Sequence, residues 1–146
     1  MPSRDATTHW VGDLQTGSGN VTFDSSNAGT FPVSFPSRAS DVSDGLTSPE
    51  ELIAAAHSAC YAMSLSGALG RNGTPGESVD VSAEVTLDRD DSGLNITSVV
   101  LTVEATVPGI EDAAFQEIAT AAKVGCPVSK ALAGVPSITV EARLRP

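Results

Sequence analysis

Positive charge is what this chain has least of. Only 8 lysines and arginines stand against 18 aspartates and glutamates, a formal net charge of −10 with histidine neutral, so phosphate backbones and anionic membrane surfaces are repelled. Nucleic acid and membrane are therefore not expected partners. Cysteine is scarce too: 2 in 146 residues cannot form a disulfide scaffold, and a domain of this length buries roughly two-thirds of its unfolded surface without staples. In a reducing compartment such a pair is more often catalytic or metal-binding than structural. No apolar run of signal-peptide length lies within residues 1–30, and the longest apolar stretch, 52–69, is interrupted by His57, Ser58, Ser64 and Ser66. A cytoplasmic protein is expected. No repeat or linker-like stretch divides the chain, so one domain over 1–146 is expected.

Residues 48–70 organise the rest. Ser48 suits an N-cap, Pro49 the first helical position, and Glu51 stands where a capping box places its acidic partner. From Leu52 to Leu69 no residue is charged, and small or apolar side chains occupy nearly the whole circumference, which predicts a buried central helix without a wet face. Before it, residues 7–14 and 19–24 read as a hairpin joined at Thr16–Gly19. Residues 31–37, with Pro32 and Pro36, belong at a sheet edge or outside a sheet; Arg38 follows, and 39–47 is a polar loop leading into the helix. After it, 79–87 alternates with a period of two and 94–107 forms its antiparallel partner. Residues 110–124 place Ala114, Phe115, Ile118, Ala121 and Ala122 on one helical face, Pro127 starts a short helix to Leu132, and 137–144 closes as a strand. This order predicts an α+β fold with mainly antiparallel pairing.

Cys60, at the middle of the long helix, is a candidate nucleophile, although free cysteine is among the most buried residue types. A thiol of ordinary pKa is only a few per cent ionised at pH 7, and a mid-helix position gains nothing from a helix N-terminus. Each pH unit of depression requires about 1.36 kcal/mol, and one cation at about 4 Å supplies roughly 4 kcal/mol at an effective dielectric of about 20, so a single arginine would suffice. His57, three residues before Cys60, permits a Cys-His hydrolase, a metal site with Cys60 and Cys126, or a satisfied core histidine. Three ligands spread over a helix and a distant turn lack the paired spacing of structural zinc sites. A non-enzymatic binding domain with two incidental cysteines is the remaining class. His9 has no evident partner.

The string PEELIAAAHSACYAMSLS at 49–66 resembles the signature of the OsmC/Ohr family of thiol-dependent hydroperoxide reductases, and GCPVSKAL at 125–132 resembles its second cysteine motif. ATTHWVGDL at 6–14 and VPGIEDAAF at 107–115 extend the similarity along the OsmC branch. Arg38 departs from the family pattern in being followed by Ala39 rather than an aromatic residue.

The resemblance implies a peroxidase acting on organic hydroperoxides and hydrogen peroxide in oxidative and osmotic stress defence. Cys60 would become a sulfenic acid and Cys126 would resolve it as a disulfide. Arg38 would stabilise the Cys60 thiolate while binding the peroxide, and Glu50 would grip that guanidinium in bidentate fashion. No bound cofactor is implied; an external dithiol, such as a dihydrolipoyl group on a lipoylated protein, would reopen the disulfide. The implied architecture is an intertwined homodimer in which sheets wrap two long central helices. Glu50 and Cys60 lie ten positions apart on one helix, roughly 15 Å along its axis. Either Arg38 bridges that distance within one chain or antiparallel helices bring Glu50 of one subunit beside Cys60 of the other; the small residues around Cys60 favour the second.

Overall fold

The computed structural model describes residues 1–146. Ten elements follow one another: β1 (Thr7–Val11), β2 (Ser18–Thr22), β3 (Thr30–Val33), α1 (Phe35–Arg38), α2 (Pro49–Arg71), β4 (Ser78–Asp90), β5 (Gly93–Thr106), α3 (Asp112–Gly125), α4 (Pro127–Ala131) and β6 (Ser137–Leu144). They form two compact units, Met1–Leu52 and Ile53–Pro146.

The first unit is built on the antiparallel sheet β1-β2-β3. The β1–β2 turn lies earlier than the sequence predicts, because Asp13 accepts hydrogen bonds from the Gln15 and Thr16 amides and the Thr16 hydroxyl. Gly17 is required there, since a Cβ would collide with the Asp13 carbonyl. Pro32 is tolerated because β3 is an edge strand, paired only with β2. Phe35–Arg38 form a one-turn helix that was not expected, and the expected loop follows it from Ala39. The Ser34 hydroxyl caps that turn by accepting from the Ser37 amide at 3.2 Å, and Pro36 lies in its first turn.

In the second unit the sheet order is β4-β5-β6. β4 and β5 form a long antiparallel pair with a bulge at Thr86/Leu87. Pairing is mainly antiparallel, as expected; the exception is β6, which runs parallel to β5 from Ser98↔Ser137 to Ala105↔Leu144. A parallel neighbour needs a long crossover, and α3 with α4 provides it. β5 carries Leu101, Val103 and Ala105 into the core on one face. They join Tyr61, Leu65 and Leu69 of α2, Phe115, Ala119 and Ala122 of α3, and Cys126. On α3 the inward residue is Ala119, while Ala121 faces out. Each fully buried leucine here contributes roughly 1.5–3 kcal/mol.

Within the chain α2 is not the fully buried helix its composition predicts. His57, Tyr61, Leu65 and Leu69 form one buried stripe at four-residue intervals, whereas Ala55, Ala56, Ala59 and Ser66 are exposed and Met63 is 73% exposed. The buried stripe is the one that meets the core of its own unit. The capping box also forms only in part. Ser48 Oγ accepts from the Glu51 amide at 3.2 Å, but the Glu51 carboxylate takes the Thr47 hydroxyl at 2.6 Å instead of returning to Ser48.

Candidate active site

Two clusters of functional side chains stand out, each on its own unit. In the first, Arg38 at the end of α1 meets Glu50 in the first turn of α2. Arg38 Nε donates to Glu50 Oε1 at 3.1 Å and Oε2 at 3.2 Å, and Nη2 donates to Oε1 at 2.7 Å. The Glu50 side chain is 10% exposed and that of Arg38 31%. The one-turn helix matters here, because it fixes the backbone from which Arg38 reaches the carboxylate. A guanidinium held this way keeps its remaining N–H groups in a set direction, free to meet another anion or a peroxide.

The second cluster is the cysteine pair. Cys60 on α2 and Cys126, the residue that caps α4, have their sulfurs 3.1 Å apart in hydrogen-bonding contact. Both thiols are free; Cys60 is partly exposed and Cys126 fully buried. An approach of about 1 Å would bring the sulfurs to disulfide bonding distance. Burial pushes the Cys60 thiol up, against hydrogen bonds from the Val128 amide and Ser64, and the adjacent Cys126 sulfur adds to the rise. Cys126 moves the other way. Its burial opposes ionisation, but the Ser129 amide and hydroxyl, the Cys60 thiol and the Val128 amide together outweigh it and hold the thiol below its ordinary value. Within this unit the two sulfurs are thus pushed in opposite directions, Cys60 up by burial and Cys126 down by its hydrogen bonds.

The family model for OsmC-like protein matches residues 42–141. The chain belongs to the OsmC-like protein family. The Peroxiredoxin OsmC of Escherichia coli (strain K12) is 42% identical over 137 residues, covering 94% of this chain and 93% of that relative. The organic hydroperoxide resistance protein OhrB of Bacillus subtilis has a similar structure, with a TM-score of 0.70 at 25% identity over 97% of this chain and 98% of its own. A second organic hydroperoxide resistance protein, from Elizabethkingia anophelis, shares the fold at a TM-score of 0.73 and 24% identity, over 98% of each chain.

In this OsmC-like chain the sequence-derived residues fall into the pairs Arg38 with Glu50 and Cys60 with Cys126. His57 joins neither. Its Nε2 lies 2.7 Å from Ser129 Oγ, its Nδ1 is buried without a partner, and it makes no hydrogen bond to Cys60. That geometry supports neither a Cys-His hydrolase nor a metal site built on His57. Burial holds the imidazole below its ordinary pKa, in the neutral form. Ser129 escaped the sequence reading. Its contact is with His57, far away in the sequence, and no local pattern signals it.

Proposed function

We propose that this protein is a thiol-dependent peroxidase that reduces organic hydroperoxides, and hydrogen peroxide, to alcohol or water. The observation that carries this reading is the pair of free sulfurs 3.1 Å apart, one partly exposed and one buried, in a chain of the OsmC-like family. The exposed partner is the one a peroxide can reach. Cys60 thiolate attacks the distal peroxide oxygen, the O–O bond breaks, and the alkoxide leaves and takes up a proton. Cys126 then attacks the Cys60 sulfenic acid, expelling hydroxide and closing the disulfide. An external dithiol reopens it by exchange, and a dihydrolipoyl group on a lipoylated protein suits that step.

The cation that Cys60 needs is Arg38, oriented by Glu50 and supplied by a second copy of the chain. Supporting this are the open face of α2, with Ala55, Ala56, Ala59 and Met63, and the small side chains that let two such helices approach closely. α2 is long and apolar enough to cross a membrane by length and composition alone. However, its buried stripe is part of the unit's own hydrophobic core, so covering by a partner helix in an intertwined, cytoplasmic homodimer accounts for the remainder. Residues 1–146 act as one functional domain in this arrangement.

Trapping tests the assignment of roles. Cys126→Ser consumes one equivalent of alkyl hydroperoxide and accumulates a sulfenic acid on Cys60, detected with a sulfenate-specific reagent, whereas Cys60→Ser consumes none. An active Cys60→Ser variant, or an untrappable Cys126→Ser, would show the roles to be wrong.

A further inference from the structure

Beside the cysteine pair the second unit holds a cavity that the peroxidase chemistry has not yet used. It lies between α2 and α3, has a volume of about 290 Å³, and is lined by Ser64, Gly67, Ala68 and Arg71 of α2 and by Ala121 and Gly125 of α3, among others. Arg71 is the one ionisable side chain that lines it, and Gly125 precedes Cys126 in the chain. Cys60, Ser64, Gly67 and Arg71 recur at intervals of four, three and four residues, so they form one line along α2, between its buried stripe and its open face. The line leads from the cavity to the partly exposed Cys60.

Arg71 lies back along this line. A Cβ placed on Gly67 would be 3.3 Å from Arg71 Nη1, so the guanidinium sits over the glycine, about one turn nearer to Cys60 than its own Cα. Glycine within a helix is destabilising relative to alanine, and Gly67 stands in the interior of α2 with no turn to make; the space it leaves is what the guanidinium occupies. Arg71 has no carboxylate partner, unlike Arg38, paired with Glu50, and Arg145, paired with Asp80 and Glu104. An unpaired guanidinium fork at the edge of a cavity whose other lining residues are uncharged complements one carboxylate. Gly67 and Cys60 are seven residues apart, roughly 10 Å along the axis. A molecule that spans them is therefore short, with its carboxylate joined to the reacting group by a chain of a few carbons.

We propose that Arg71 is a specificity-determining residue: it receives the carboxylate of a hydroperoxide whose peroxide group lies at Cys60, and so favours short hydroperoxy acids over their neutral counterparts. The inference rests on the peroxidase reading and on Cys60 as the residue that attacks. Both thiols are free in this structure, which is the state a peroxide meets; a thiol reductant meets the disulfide. The net charge of −10 repels an anion in solution, so the preference comes from the contact with Arg71 and not from the field of the whole protein.

The test compares kcat/KM for 4-hydroperoxy-4-methylpentanoate and for its methyl ester, which share the reacting group and differ in charge. Arg71→Gln lowers the acid-to-ester ratio about fivefold, the size of one solvated ion pair at the upper end of its range, and Arg71→Lys, which keeps the charge but not the fork, lowers it less. Gly67→Leu retains Arg71 and fills the cavity, and it lowers the ratio as well. A ratio unchanged in Arg71→Gln overturns the inference. So does a ratio lost in Arg71→Gln but kept in Gly67→Leu, which would mean attraction at a distance without seating in the cavity. If Arg71→Gln instead slows reduction of the disulfide by dihydrolipoate, an acidic dithiol, while the hydroperoxide ratio holds, the site serves the reductant and the inference fails. A wild type that reduces neither acid nor ester refutes the peroxidase reading itself, an outcome distinct from a wild type that reduces both without dependence on Arg71.

Discussion

Replacing Glu50 by glutamine keeps the shape of the Arg38 site and removes its charge. Arg38 now makes three hydrogen bonds to the carboxylate, at 3.1, 3.2 and 2.7 Å. An amide can accept at its oxygen but presents its NH2 to the guanidinium on the other side. A charge-assisted hydrogen bond is worth roughly 1.5–3 kcal/mol, and the 31% exposure of Arg38 places the loss at the lower end through solvent screening. About 1.5 kcal/mol of lost orientation corresponds to roughly a tenfold fall in kcat/KM for alkyl hydroperoxide. Mixing Glu50→Gln with Cys60→Ser subunits then locates the pair. If Glu50 of one subunit serves Cys60 of the other, each mixed dimer has one intact site, and an equal random mixture recovers about a quarter of wild-type activity. If the site lies within one chain, only the weakened Glu50→Gln sites contribute, about a twentieth of wild type. The lower value, at equal total protein after reassembly, would refute a shared site.

The remaining predictions concern α2 and its core. Tyr61 is fully buried and its hydroxyl donates to the Ala119 carbonyl at 2.8 Å, so Tyr61→Phe lowers stability by about 1 kcal/mol; an unchanged urea midpoint at fixed protein concentration would show that the bond contributes nothing net. Burial depresses the His57 pKa, so as pH falls through about 6.5 the unfolded chain takes up a proton that the folded chain refuses, and stability drops; above that value His57 contributes no slope. His57→Gln abolishes this part of the pH dependence, and equal losses between pH about 7.5 and about 5.5 in both proteins would contradict it.

The structure also shows what the residues alone could convey. The helix α2 was legible because its cap and its unbroken apolar run are local signals, and the β4 alternation was legible for the same reason. The parallel pairing of β6 was not, because strand direction depends on where α3 and α4 return the chain, which no local pattern encodes. The exposed face of α2 follows a similar logic: composition specifies that a face is apolar, not which chain covers it. α1 was missed because a single turn needs only Ser34 and Pro36 to start it, and these also read as loop residues. At the candidate site the two cysteine motifs and Arg38 with Glu50 were recognisable as strings. The partnership of Ser129 with His57 was not, since that contact exists only once α4 packs against α2.

Counting thiols tests the central claim most directly. Wild-type protein, fully reduced and freed of reductant, is given one equivalent of an alkyl hydroperoxide, and free thiols are titrated alongside peptide mapping without reduction. The account predicts that both thiols disappear together, that one equivalent of alcohol forms, and that the peptides carrying Cys60 and Cys126 are found joined. Survival of both thiols, or alcohol formation with Cys126 still free, would contradict it.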